Sequence, residues 1–303
     1  MKHLATALLL GTMTAASAAA QEFADIPGLR EGLTAIRLQA GALKPELTIL
    51  TPSEADSHRL GHSPQTAQMN AAAAEPEVAQ TPDISPYPVR GMDISNLEGD
   101  IDWTRVNGHG LSFVFMKATE GGDWVDKRFK TNWAGATSAG LLKGAYHFYN
   151  FCKPGGVQAD NFIATVPREA GALPMVIDFE KSKSCTKMPT KKVFLKDFAI
   201  FVAKVKKAYG QPPFLYINLG IYDEYLAGAS DGYKLWIADP DHTSPRMPSG
   251  TSWTFWQYSW HGTVSGISGG EVDLDVFDGD AQALAALAKP QAAPPLQAVR
   301  PKT

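Results

Sequence analysis

Asp178-Phe179-Glu180 closes an apolar run, Leu173-Pro174-Met175-Val176-Ile177. This pattern puts two carboxylates at the mouth of a buried strand. Side chains alternate faces along a strand, so Asp178 and Glu180 project to one side and Phe179 packs on the other. Like charges held together raise at least one pKa, which leaves a protonated acid beside an ionised partner. Glycosidic-bond cleavage uses such a pair: an acid for the leaving oxygen and negative charge near an oxocarbenium-like centre. An isolated D-x-E is more simply a strand end running into a solvated acidic loop. Here, however, further acids stand at strand ends in order along the chain. Asp93 lies in Gly91-Met92-Asp93-Ile94-Ser95 and Asp273 in Val272-Asp273-Leu274-Asp275-Val276-Phe277. Asp273 and Asp275 share a strand face, so the residues alone leave open which of them reaches the cleft.

Eight apolar runs have the length and composition of the strands that would carry these acids: 89–94, 111–118, 142–148, 173–180, 214–218, 234–238, 254–258 and 272–277. Residues 126–138 and 158–165 read as helices between them. The clearest helix is 191–209, where Val193, Phe194, Phe198, Phe201, Val202 and Val205 form an apolar stripe opposite lysines, and Gly210-Gln211-Pro212-Pro213 stops it. Strands alternating with helices predict a parallel sheet with right-handed crossovers, and polar residues gathered at strand C-termini favour a barrel. The expected fold is α/β: an irregular TIM-like (β/α) barrel, with regular β/α units first and short strands with few helices in the last third.

Around this core the composition changes. Residues 1–20 have a basic start, a short apolar stretch and a small-residue close, the layout of a signal peptide, so export to the periplasm or medium is expected. Residues 21–86 are rich in Pro, Ala, Ser, Glu and Gln and read as a low-complexity, disordered arm with one short helical stretch near 29–43. Residues 289–303 read likewise as a disordered tail, which leaves 87–288 as one catalytic domain. With 28 basic and 31 acidic residues and a net charge of -3, no basic field marks a nucleic-acid binder. No membrane anchor is expected, and the arm is free to serve transport, spacing or an unidentified partner. Cys152 and Cys185 each follow a candidate strand at the same end of the fold. They are disulfide candidates in an oxidising compartment and small core residues in a reducing one, and no nearby His completes a metal-ligand spacing with them.

The core resembles glycoside hydrolase family 25, the Chalaropsis-type lysozymes. The resemblance is carried by GMDIS at 91–95, FMKATEG at 115–121, GAYHFY at 144–149, VIDFE at 176–180, LYIN at 215–218, LWIA at 235–238, FWQYS at 255–259 and VDLDVF at 272–277. It implies a muramidase that cleaves the β-1,4 bond between N-acetylmuramic acid and N-acetylglucosamine in peptidoglycan glycan strands, without cofactor or metal. By position, Glu180 would be the general acid and Asp178 its ionised neighbour, while Asp93 and Asp273 would line the cleft. The motif selects Asp273 over Asp275. The family implies retention of configuration. Residues i and i+2 on a strand lie about 6.6 Å apart at the backbone, which fits either stereochemical class once side chains tilt. Asp178 would then act either as the nucleophile or by orienting the substrate's own N-acetyl oxygen.

Tyr146 is expected to hydrogen-bond the reacting sugar, whereas His147, on the opposite face, reads as a satisfied core histidine. Glu120 is either a cleft residue or an ion-pair partner of Lys117. Trp236 and Tyr258 are core-like aromatics that could also stack on sugars, and Gln257 could hold a hydroxyl. Asp239-Pro240-Asp241 departs from the family pattern, which bears on the distal sugar sites. Two other functions fit the same residues: a catalytically weak carbohydrate- or partner-binding barrel, and a hydrolase of another N-acetylated glycan such as chitin.

Overall fold

The computed structural model of the chain describes residues 81–248 and 250–288. The expected signal peptide, the arm up to residue 80 with its helical stretch, and the tail lie outside the described residues. Among the described residues there are nine strands: β1 (Arg90–Ile94), β2 (Phe113–Glu120), β3 (Trp124–Val125), β4 (Leu142–Phe148), β5 (Val176–Asp178), β6 (Phe214–Ile217), β7 (Leu235–Ala238), β8 (Trp253–Gly262) and β9 (Val272–Phe277). The helices are α1 (Trp103–Asn107), α2 (Phe129–Ser138), α3 (Gly155–Thr165), α4 (Lys191–Tyr209), α5 (Leu219–Ile221) and α6 (Ala281–Leu287), with a π-helical turn at Tyr222–Leu226. No helix among the described residues is long and apolar enough to cross a membrane.

The strands follow the order β1-β9-β8-β7-β6-β5-β4-β2, and β1 also pairs with β2, so the sheet closes into an eight-strand barrel; β3 hangs on β2 as a short hairpin partner. Neighbours from β1 through β2, β4, β5, β6 and β7 to β8 are parallel, as expected of β/α units. β9 differs, for it runs antiparallel to both β8 and β1. The reason is connection length. The turn from β8 to β9 has no room for a crossover helix, so the chain must come straight back.

Period-two alternation sorts the barrel interior into layers. Phe113, Phe214, Phe255 and Phe277 lie lowest, with Phe115 and Trp236 above them, and these rings pack edge-on or tilted at 4.8–6.4 Å. Two inward glycines make room for them: a Cβ at Gly91 would lie 2.3 Å from Phe113, and one at Gly144 would lie 2.3 Å from Phe115. The aromatic plug dries the barrel from below and leaves the top layer, at the C-terminal ends of the parallel strands, to polar side chains.

Outside the barrel, α4 lays Phe194, Phe198, Phe201, Val202 and Val205 inward, all buried, and ends at Gly210 in the left-handed region (φ 81°). Its aromatic rings meet Phe179, Tyr149 and Phe151. Phe179 thus points away from the acids on either side of it. His147 is also outward and fully buried, between Thr119 (2.7 Å) and Gln158 (3.2 Å), and burial pushes its pKa down to about 3. It is a neutral core histidine, as read. The turn segment after Leu226 has Gly228 and Gly232 in the left-handed region.

Candidate active site

A cleft of about 410 Å³ opens over the polar layer. Of the expected residues, Asp93, Glu120, Tyr146, Asp178, Glu180, Trp236, Gln257 and Asp273 line it. They come from seven different strands or strand ends, so the closed barrel is what brings them together. Asp93 and Asp273 face each other directly in the β1–β9 register.

Tyr258 does not line this cleft. It follows the inward Gln257 on β8, so alternation turns it outward, where its ring packs at 6.1 Å from Trp256. Lys117 and Glu120 fulfil both readings, for they are an ion pair at 2.8 Å and both line the cleft. The Lys117 ammonium also lies 4.4 Å from the Phe148 ring centre, which fixes a positive charge beside the acids.

Gln257, 1% exposed, organises one side. Its Nε2 donates to Asp93 (2.7 Å) and to Asp273 (3.4 Å), and its Oε1 accepts from the Tyr216 hydroxyl and the Trp260 indole, both at 2.8 Å. Tyr216 also reaches Glu180 at 3.4 Å. Neither Tyr216 nor Trp260 was singled out in the sequence; Tyr216 lies within the LYIN motif and points inward by alternation, so its strand position was the available sign. Asp275 lies one layer below Asp273 and is fully buried. The Trp236 indole donates to one of its oxygens at 2.9 Å, while the other has no donor from the protein and faces Asp93. Two carboxyls can bond only if one keeps its proton. Burial, and then the charges of Asp93 and Asp273, raise Asp275 well above the usual range, which favours its protonated form.

Burial likewise raises Glu180 to about 7, against the opposing pull of Lys117 and the Tyr216 hydroxyl. Burial, and then the charge of Glu180, raise Asp178 well above its ordinary value; Lys117 opposes this too. The cause is visible in its bonding: Asp178 is 6% exposed, and its Oδ1 has no hydrogen-bond partner in the protein. The pair therefore keeps at least one proton near neutrality. Asp178, expected as the ionised neighbour of Glu180, is held toward its neutral form in this state by burial without a donor. The arrangement can deliver a proton from Glu180 and accept a hydrogen bond at Asp178.

The family profile for glycosyl hydrolases family 25 matches residues 92–267. The chain belongs to glycoside hydrolase family 25. It is thereby a hydrolase of the lysozyme and muramidase group. Among similar proteins, uncharacterized protein YegX of Escherichia coli K12 is 38% identical over 208 residues, covering 66% of this chain and 73% of the relative. Lysozyme M1 of Streptomyces globisporus is 35% identical over 213 residues, covering 66% and 71%. Of solved structures, a family 25 glycosyl hydrolase from Bacillus anthracis aligns with a TM-score of 0.63 at 33% identity, over 72% of this chain and 100% of that one. The bacterial lysozyme from Streptomyces coelicolor aligns at 0.62 and 34% identity, over 66% and 96%. The family match ends before Asp273, so the place of this residue in the site rests on the geometry of β9 against β1.

Proposed function

We propose that this family 25 enzyme is an exported peptidoglycan hydrolase that cleaves the β-1,4 bond between N-acetylmuramic acid and N-acetylglucosamine with retention, the substrate's own N-acetyl oxygen acting as nucleophile. The observation that carries the reading is the pairing of Glu180, protonated up to about pH 7, with a buried Asp178 whose Oδ1 has no donor. An acetamido N–H is the donor this oxygen lacks. A hydrogen bond from it lowers the pKa of Asp178, so the proton of the pair concentrates on Glu180, where the leaving oxygen needs it. Charged Asp178 then stabilises the positive ring that forms as the acetamido oxygen attacks the anomeric carbon. Water later opens that ring, with Glu180 taking the proton back. Asp93 and Asp273, joined by Gln257, set the hydrogen bonding around the sugar, and Tyr146 lies in the same layer.

The catalytic domain spans about residues 87–288, and most of the arm before it serves transport, spacing or partner binding. The names of relatives such as Lysozyme M1 support a cell-wall substrate. The test is Glu180→Gln, which keeps size and polarity but has no proton to transfer. Turnover of peptidoglycan should fall by about 10³-fold or more while the fold and glycan binding persist. Near-parental activity in that variant would remove Glu180 from the acid role.

A further inference from the structure

We propose that a second cavity beside the cleft is a distal saccharide-binding site, which holds the glycan beyond the bond being cleaved. The proposal rests on the muramidase reading above. The cavity, about 710 Å³, lies between Pro82 and Ile84 of the segment entering the barrel, Tyr258, Trp260 and His261 of β8, and Asp241 of the loop between β7 and β8. Trp260 and His261 line both this cavity and the catalytic cleft. The indole edge of Trp260 is fixed toward the cleft by its bond to Gln257. β8 is thus a continuous wall from one space to the other, and a chain leaving the cleft along it enters the second cavity.

Both lips are preformed. Residues before Tyr87 were read as part of the arm, yet the Asp83 N–H donates to the Thr243 carbonyl at 3.0 Å, and Tyr87 packs at 5.0 Å from Trp253 and 6.2 Å from Trp256. The opposite lip is tied by Asp239, 4% exposed, which accepts from the Arg246 main chain (2.8 Å) and guanidinium (3.2 Å) and pairs with His242 (2.8 Å). The sequence departs from the family pattern at Asp239-Pro240-Asp241, and that departure builds this lip. A preformed pocket with apolar and aromatic walls and a few polar groups is what a sugar ring needs, because its faces are apolar and its edges polar. The wall offers no Lys or Arg among its lining residues, which disfavours a carboxylate-bearing stem peptide as occupant.

The test compares the full chain on peptide-free tetrasaccharide and octasaccharide of alternating N-acetylglucosamine and N-acetylmuramic acid. The parent should show a higher kcat/KM on the octasaccharide. Ile84→Asp should lower that value about tenfold, and Ile84→Ala somewhat less, with the tetrasaccharide value unchanged, since Ile84 is outside the catalytic cleft. Thermal melts verify folding. Equal rates of the parent on both lengths, or folded variants slowed equally on both, would overturn the proposal. So would unchanged octasaccharide kinetics accompanied by faster proteolysis before Thr81, which would give the cavity to the chain's own arm. If the parent cleaves neither length, the muramidase reading fails. In that case octasaccharide binding, retained by the parent and weakened by Ile84→Asp, still supports the cavity, and unweakened binding rejects it.

Discussion

At the scale of residues, the account turns on two carboxyls whose neighbours give them different work. If Asp178 orients the N-acetyl group, Asp178→Asn should slow cleavage by about 10² to 10⁴-fold, because the amide keeps the shape but not the charge. A slow-leaving fluorinated sugar should leave no ester on this side chain. A mass increase mapped to Asp178 would instead make it the nucleophile. Glu180 must be protonated to act, so kcat should fall as pH rises through about 7, and the profile should lose that limb only when Glu180 itself is replaced. The same shift bears on stability. The folded value lies above the ordinary 4.5, so the contribution of Glu180 is fully present below about pH 4.5 and is lost as pH rises through about 7. Glu180→Gln should therefore melt higher than the parent at pH 8, and an equal or lower melting temperature there would contradict the buried, protonated state. Most of these residues were legible because acids at strand ends have few structural uses. Tyr216 and Trp260 were not, since aromatics on strands are ordinarily core, and only closure of the barrel turns them toward Gln257.

At the scale of elements, the parallel run of strands and its helices could be read from period and turn chemistry, and α4 was bounded at both ends by its apolar stripe and by Gly210. The direction of β9 was not legible, because alternation specifies which side chains face inward but not which way a strand runs. Asp273, near the start of β9, reaches the cleft beside Asp93 because the strand runs antiparallel, so its selection rested on the motif and not on the topology. The loop after β5 carries Lys181 and Lys183 to the cleft and is joined at Cys185 to Cys152, 33 residues earlier. Closing a loop of that length stabilises by roughly 3 to 4 kcal/mol. Exported protein should accordingly show no free thiol when denatured without reductant, and its melting temperature should drop by several degrees when reductant is added. Two titratable thiols per chain would contradict the pairing.

At the scale of the whole molecule, the aromatic plug closes the barrel below, the acids lie in a polar layer above it, and the cleft opens on that side. Packed chain is present earlier than the end of the Pro-rich stretch suggested. Asp83 makes its bond to Thr243, a partner distant in sequence that no local pattern could show. The remaining functions, a silent binding barrel and a chitinase-like hydrolase, differ from a muramidase in what bond, if any, is broken. Purified full chain should therefore be incubated in parallel with peptidoglycan and with chitin oligomers, and the product ends identified by mass spectrometry. The account predicts new reducing ends on N-acetylmuramic acid from peptidoglycan and little or no cleavage of chitin. Intact peptidoglycan, or new ends on N-acetylglucosamine, would contradict it.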